Sequence, residues 1–241
     1  MPNQTILVAS DNPKAVEFLI TYFSETQSIL TVIRSKADLA TVSLMKPNFI
    51  FFQGDWIDAK TSSRLNQFKS ENPELLCFHL GPLRHAGFSW EGEIEFPLEE
   101  KAFRKVVLNK IKYQNPLKLL IVDDETEIVE IVQDYFEVRT DPPFQVRTAF
   151  NGLEGHKLID KDLPNCLILD IKMPVKTGVE LYRDVVRSGR KIPTIIFIDS
   201  TSPEDILEIR KWGNPVFVEK GGASSSMPDM LALVKKLVAF S

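Results

Sequence analysis

Three carboxylates and one lysine follow apolar segments in the second half of the chain. Asp123 and Asp124 come directly after "LLIV", Asp170 ends the run "CLILD", and Lys220 ends the run "VFVEK". Taken alone, the pair of aspartates is equally consistent with an ordinary helix start, because aspartate is a common N-cap residue. The combination of three acids with one lysine asks for a chemical explanation.

Carboxylates that converge at one place need a counter-charge. At ~5 Å and an effective dielectric constant near 20, each pair repels by about 3 kcal/mol. Mg²⁺ prefers oxygen ligands and binds through one or two carboxylates beside phosphate oxygens, and Lys220 would add a second positive charge. We interpret the set as a phosphoryl-accepting site in which the Asp170 carboxylate attacks phosphorus and the cations neutralise the developing charge.

The elements that must position these residues are predicted to be strands of a parallel sheet. From residue 118 onward, short apolar runs alternate with segments of helical period, which is typical of βα units. The expected strands are 119–123, 144–149, 166–170, 194–198 and 215–219. Because ligands bind at the carboxyl ends of strands in a doubly wound sheet, the acids and the lysine are expected to share one crevice.

The first half repeats this order in weaker form. Its expected strands are 5–9, 29–33, 49–53, 75–79 and 93–96, and its expected helices are 13–25, 36–45, 59–70 and 98–112. We therefore predict an α/β protein with two tandem doubly wound five-stranded parallel sheets of the flavodoxin-like type. Pro116 discourages continuation of the preceding helix, so we place a linker at about 113–117 and the domains at 1–115 and 116–241.

The second half resembles the receiver domain of two-component response regulators. The resemblance covers about 118–241 and is carried by "VDDE", by "LILDIKMP" with Gly178 following, by "IPTIIF", and by Gly213 followed by "VFVEK". Four separated motifs in the right order make this a specific signal. It implies two receiver folds, of which the first is a degenerate pseudo-receiver.

The resemblance implies a role for each matching residue. Asp170 corresponds to the phosphoacceptor, Asp123 and Asp124 to the acidic pair that binds Mg²⁺, and the backbone carbonyl of Lys172 to a further metal ligand. Lys220 corresponds to the lysine that contacts the phosphoryl group. The implied cofactor is Mg²⁺, and the implied partners are a histidine kinase or phosphotransfer protein and an unknown downstream protein.

The sequence departs from the family at the switch position. Counting five residues from Pro193 places Ile198 where the family has a serine or threonine hydroxyl, and isoleucine cannot make that hydrogen bond. Ser200 and Thr201 lie close by in the sequence. Phe217 corresponds to the aromatic switch position, but it is equally consistent with a core strand phenylalanine.

The first half lacks the chemical groups of the second. The residues expected at the positions of Asp123, Asp170, Ile198 and Lys220 are Ser10, Gln53, Phe78 and Phe96. Asp11 is the one acid that survives in this alignment, so we predict no phosphoryl chemistry in the first half. The segment after His79 is too short and too broken by glycine and proline for a helix, which leaves Phe88 and Trp90 in a loop.

Composition excludes several other classes of function. The 241 residues carry a formal net charge of -4 with no run of basic residues, which argues against nucleic acid or an anionic membrane surface as partner. No apolar run approaches the ~20 residues of a membrane-spanning helix, and no leader pattern precedes residue 5, so we expect a cytoplasmic protein. A homodimer remains open.

The favoured interpretation is a phosphorelay signalling protein that is not an enzyme. It accepts a phosphoryl group on Asp170 and signals through protein contacts. One alternative is a receiver-like adaptor or scaffold that is never phosphorylated. A second is a phosphatase with an aspartyl intermediate, although those enzymes carry Asp-x-Asp after the first strand of the fold, whereas Asp170 ends the third strand of its half.

Overall fold

The chain folds into two compact units. The computed structural model describes residues 4–36, 46–83, 87–138, 140–199, 203–221 and 226–241. One unit comprises residues 1–111 together with 240–241, and the other comprises residues 112–239. Each unit is built around its own sheet.

The first unit contains a five-stranded parallel sheet with the strand order β2-β1-β3-β4-β5. Its strands are β1 (Thr5–Ala9), β2 (Ile29–Ile33), β3 (Phe49–Gln53), β4 (Leu76–Leu80) and β5 (Gly92–Ile94). Its helices in the described residues are α1 (Pro13–Phe23), α2 (Ala59–Glu71) and α3 (Glu100–Leu108), and a 3₁₀ turn spans Gly54–Trp56. The helix expected at 36–45 lies, apart from its first residue, outside the described part of the chain.

Local sequence explains why the first unit begins as it does. The side chain of Asn12 accepts a hydrogen bond from the backbone N–H of Ala15, and Pro13 occupies the first helical position, where its missing N–H costs nothing. The helix α1 then turns one apolar face, including Val16 and Leu19, toward the sheet. β1 therefore ends, and α1 starts, within four residues of Ala9.

The connection between β4 and β5 contains no helix in its described residues, 81–83 and 87–91, as the sequence predicted. Its two aromatic residues pack onto their own unit instead of remaining exposed. Phe88 and Trp90 contact each other with ring centroids 4.6 Å apart and lie against the cluster that contains Phe52 and Cys77. The connection is therefore a packed loop.

The second unit repeats the same architecture with the strand order β10-β9-β8-β6-β7, all parallel. Its strands are β6 (Leu117–Val122), β7 (Phe144–Ala149), β8 (Cys166–Leu169), β9 (Thr194–Ile198) and β10 (Val216–Glu219). Its helices are α4 (Thr126–Val138), α5 (Gly152–Lys161), α6 (Gly178–Arg187), α7 (Pro203–Arg210) and α8 (Met227–Phe240).

The central strand β6 is buried on both faces from Leu119 to Val122, which explains why this part of its sequence is continuously apolar. Leu119 and Ile121 point into the core formed with α4 and α8. Leu120 and Val122 point into the core formed with α5 and α6. This apolar run ends at Asp123, where the chain reaches the edge of the sheet.

The predicted fold class is confirmed: both sheets are five-stranded, parallel and flavodoxin-like in strand order. The predicted strand limits agree with the observed ones to within about two residues, and the predicted helix 98–112 is longer than the observed α3 (Glu100–Leu108). Within the described residues, no helix combines the length and apolar character that a membrane span requires.

Candidate functional site

The carboxyl ends of β6, β8 and β10 lie at one edge of the second sheet, and backbone hydrogen bonds fix the residues that follow them. The N–H of Asp123 donates to the carbonyl of Ala149 at 3.1 Å, and the N–H of Asp170 donates to that of Val122 at 2.8 Å. The N–H of Lys220 donates to the carbonyl of Ile198 at 2.6 Å. The predicted site residues are therefore held by the sheet itself.

The ammonium group of Lys220 lies among carboxylates. Its Nζ is 2.9 Å from Asp123 Oδ2, 3.4 Å from Asp170 Oδ1 and 2.7 Å from Glu125 Oε1. A fourth carboxylate, that of Asp199, is 3.9 Å away. The structure thus brings together Asp123, Asp170 and Lys220, as the sequence predicted.

Burial makes the two inner acids and the lysine electrostatically coupled. The side chains of Asp123, Asp170 and Lys220 are only 2%, 8% and 5% exposed. Burial raises the pKa of Asp123 and of Asp170, and the positive charge of Lys220 offsets part of that rise. Burial also lowers the pKa of Lys220, but its contacts with the carboxylates of Glu125 and Asp123 outweigh this and leave that pKa above the usual range.

Asp123 offers an oxygen to a metal ion. Its Oδ1 accepts a hydrogen bond from the N–H of Glu125 at 3.0 Å, whereas its buried Oδ2, although paired in charge with Lys220, accepts no hydrogen bond from any described residue. Asp124 is exposed beside it, and its charge raises the pKa of Asp170. These hard oxygen donors fit Mg²⁺.

The remaining predicted metal ligand is the backbone carbonyl of Lys172. The N–H of the same residue donates to the Asp170 carboxylate and lowers its pKa, which places Lys172 beside the site. In the described residues, no group of three or more His, Cys, Asp or Glu side chains is arranged to hold a metal ion. Magnesium would therefore depend on a backbone carbonyl and water as well as on carboxylates.

The loop between Asp170 and α6 is anchored at both ends. Thr177 and Glu180 form a capping box at the start of α6, in which each side chain accepts a hydrogen bond from the other's backbone N–H. The N–H of Gly178 donates to the carbonyl of Ile171 at 2.9 Å. A Cβ atom at position 178 would clash with the backbone carbonyl of Asp170, so glycine is required there.

Ile198 is buried among the apolar residues of the second core and offers no hydroxyl to the site. Ser200 and Thr201, the nearby hydroxyl residues, lie outside the described part of the chain. Phe217 is half-buried against the same core, and the guanidinium carbon of Arg210 lies 5.4 Å from the centroid of its ring. The switch position is therefore apolar.

Two acids at the site were missed by the sequence reasoning. Glu125 belongs to the quoted motif "VDDE" and is the third residue after β6, and Asp199 directly follows β9, so both stand close to strand ends. Their position near a strand end was the sequence signal that could have identified them as site residues. Neither was assigned a role because exposed acids after a strand are common at helix starts and turns.

The corresponding edge of the first unit is closed by uncharged groups. The N–H of Ser10 donates to the carbonyl of Ile33 at 2.9 Å, as Asp123 does to Ala149. The hydroxyl of Ser10 donates to Gln53 Oε1 at 2.7 Å, and the N–H of Asp11 donates to the same oxygen at 3.0 Å. The side-chain oxygen of Gln53 therefore accepts hydrogen bonds from the residues that follow β1.

One predicted correspondence in the first unit is wrong. Leu169 pairs with Ile196, two residues before Ile198, and Phe52 pairs with His79, two residues before Gly81. Gly81, not Phe78, therefore occupies the position of Ile198. Phe78 is a core residue stacked on Phe51, and a Cβ atom at position 81 would clash with the ring of Phe96. The connections between these strands differ in length in the two halves, so the alignment of the two sequences missed this shift of three residues.

Comparisons with known proteins match the second half of the chain to a described family. Residues 119–232 match the family described as "Response regulator receiver domain". The response regulator SaeR of Staphylococcus aureus strain USA300 is 34% identical over 102 residues, which are 42% of this chain and 43% of that protein. The chain thus matches less than half of the length of the curated relatives.

Solved structures with similar folds include chemotaxis protein CheY4 of Vibrio cholerae, 26% identical, covering 51% of this chain and 98% of that one with a TM-score of 0.45. A putative two-component system response regulator/GGDEF domain protein is 15% identical and covers 98% of this chain and 99% of that one with a TM-score of 0.46. The family match falls on the unit whose sheet edge holds Asp123, Asp170 and Lys220, and residues 119–232 of this chain are a response regulator receiver domain.

Proposed function

We propose that the second unit accepts a phosphoryl group on Asp170 and passes the signal on through protein contacts, as part of a phosphorelay. The observation that carries the proposal is the placement of one buried lysine within 3.4 Å of Asp170 and 2.9 Å of Asp123 at the strand ends. A buried lysine beside two buried acids suits a group that acquires further negative charge.

In the proposed step, a carboxylate oxygen of Asp170 attacks phosphorus. A new O–P bond forms, and the bond between phosphorus and a histidine nitrogen of the donor breaks, with its electron pair returning to the histidine. Lys220 stabilises the charge on the transferring oxygens. Mg²⁺, when held by Asp123, Asp124, Asp170 and the carbonyl of Lys172, would supply further neutralisation of that charge.

The proposed donor is a histidine kinase or a phosphotransfer protein in the cytoplasm, and the proposed target is a downstream protein. In this proposal the chain is itself modified at Asp170, so we do not propose that it is an enzyme that acts on a separate substrate. We further propose that the first domain, residues 1–115, is a pseudo-receiver that takes no phosphoryl group, and that residues 116–241 form the active receiver.

Intact-protein mass spectrometry after incubation with acetyl phosphate and Mg²⁺ tests the proposal. We expect a mass increase of one phosphoryl group that is lost when the metal is chelated and is absent in Asp170→Asn. The control variant Asp134→Asn changes an exposed carboxylate on α4 and should keep the adduct. An adduct that persists in Asp170→Asn would overturn the assignment.

A further inference from the structure

The shortest side-chain contact of Lys220 is made to Glu125, an acid outside the predicted set. Lys220 Nζ donates a hydrogen bond to Glu125 Oε1 at 2.7 Å, whereas Asp170 Oδ1 is 3.4 Å away. The latter distance exceeds the usual range of about 2.7–3.2 Å for an N–H···O hydrogen bond. The proposed nucleophile is therefore less closely paired with the lysine than Glu125 is.

The ammonium group cannot donate a hydrogen bond to every carboxylate around it. It has about three N–H donors, and four carboxylates lie within 3.9 Å of Nζ. Asp123 is held in place, because its other oxygen accepts the N–H of Glu125. Glu125 and Asp170 are consequently the acids whose hydrogen bonding to Lys220 can change most easily.

We propose that Glu125 is a positioning residue that holds Lys220 away from Asp170 and so limits how fast Asp170 takes up a phosphoryl group. This inference rests on the proposed transfer to Asp170. Glu125 does not touch the reacting atoms; it acts through Lys220. Its side chain is 52% exposed, so it can swing into solvent when the lysine turns toward a phosphoryl group.

The competition has a direction because the charges differ before and after transfer. Before transfer, Asp170 is a single carboxylate that shares the lysine with three other acids. The incoming phosphoryl group brings additional negative charge to Asp170, which favours a shift of the lysine away from Glu125. Breaking the contact with Glu125 is a cost of the reaction that Glu125→Gln would reduce.

The test is the rate of phosphorylation of the full chain by acetyl phosphate and Mg²⁺. In this reaction the P–O bond to acetate breaks, acetate leaves with the bonding electrons, and the Asp170 O–P bond forms. Glu125→Gln should raise the rate by about two- to fivefold, the range expected when an exposed ion pair is removed. Glu125→Asp, which keeps the charge on a shorter side chain, should give an intermediate rate.

Glu127→Gln is the matched control. It removes the same charge from the same turn, two residues further on, where the exposed Glu127 makes no contact with Lys220 in the described structure. It should leave the rate within experimental error of the parent. In a Lys220→Gln background, Glu125→Gln should have no effect, because the residue acts through the lysine.

A crystal structure of metal-free Glu125→Gln gives a readout that does not depend on activity. The distance between Lys220 Nζ and Asp170 Oδ1 should fall from 3.4 Å into hydrogen-bonding range. An unchanged distance and an unchanged rate in a parent protein that is phosphorylated would overturn the inference and leave the proposed function intact. Equal acceleration by Glu127→Gln would also overturn it. A parent protein without any adduct would overturn both.

Discussion

At the scale of single residues, Asp123 and Asp170 carry charges in a place where burial favours their neutral forms. The pKa of each is raised by burial, and Lys220 reverses only part of the rise. For Asp170, the native state therefore binds more protons than the unfolded state at pH values between the unfolded pKa of 3.8 and the higher native pKa. The stability of the unit falls as the pH rises through that window.

Asp170→Asn should therefore stabilise the second unit in metal-free buffer at pH 7, which is measured as a higher free energy of unfolding. The amide keeps the size of the side chain and removes the buried charge. The gain should shrink toward pH 4, because the parent's Asp170 becomes protonated there. Urea unfolding followed through the NMR signals of β8 amides measures this. A variant less stable than the parent at pH 7 would contradict the argument.

At the scale of elements, the loop from β8 to α6 links the position of Asp170 to the start of a helix. The capping box of Thr177 and Glu180 fixes the first turn of α6, and Gly178 lies against the backbone carbonyl of Asp170. A backbone carbonyl cannot rotate away as a flexible side chain can. Any atom added at position 178 must therefore displace Asp170 or α6.

Gly178→Ala should destabilise the second unit by about 1–3 kcal/mol, as overpacking of a closely packed site does. It should also slow phosphorylation of Asp170, because the carboxylate moves relative to Lys220. Ser188→Ala at the other end of α6 removes a hydrogen bond to Val185 and serves as control, with no expected effect on phosphorylation. A phosphorylation rate in Gly178→Ala equal to the parent's would show that the loop adjusts without moving Asp170.

The strands and the inner site residues were predictable because their sequence signals are strong. Fully buried parallel strands are continuously apolar and end in polar residues, so the position of Asp170 follows from the run "CLILD". The register of Gly81 was not predictable, because it depends on pairing between β3 and β4. The contact of Glu125 with Lys220 was not predicted either, because an exposed acid at this place is equally consistent with an ordinary helix start.

At the scale of the whole molecule, one strand order occurs twice with different chemistry at the strand ends. The second sheet places buried charges there, whereas the first places the hydrogen bond between Ser10 and Gln53. The same backbone contact precedes both, since Ser10 and Asp123 each donate to the strand that flanks their own. At these strand ends, the difference between the units therefore lies in the side chains.

The double variant Asp170→Asn with Gln53→Asp should remain unphosphorylated by acetyl phosphate and Mg²⁺. A carboxylate at position 53 would lack both partners of the second site. Phe96 is the residue aligned with Lys220, so the lysine is missing, and residue 10 is serine, so the partner acid is missing. Intact mass measurement tests this prediction. The control is the double variant Asp170→Asn with Gln53→Gly, in which a phosphoryl adduct would reveal another acceptor. An adduct specific to the double variant would show that the first unit retains a working site.

The hydrogen bond between Ser10 and Gln53 also makes this pair of side chains insensitive to conditions that change the charges of the second unit's site. It joins two neutral groups, so neither magnesium concentration, nor phosphodonor supply, nor pH between about 5 and 8 alters the charge of this pair. A protein that recognised this pair of side chains would therefore meet the same uncharged groups at every magnesium concentration.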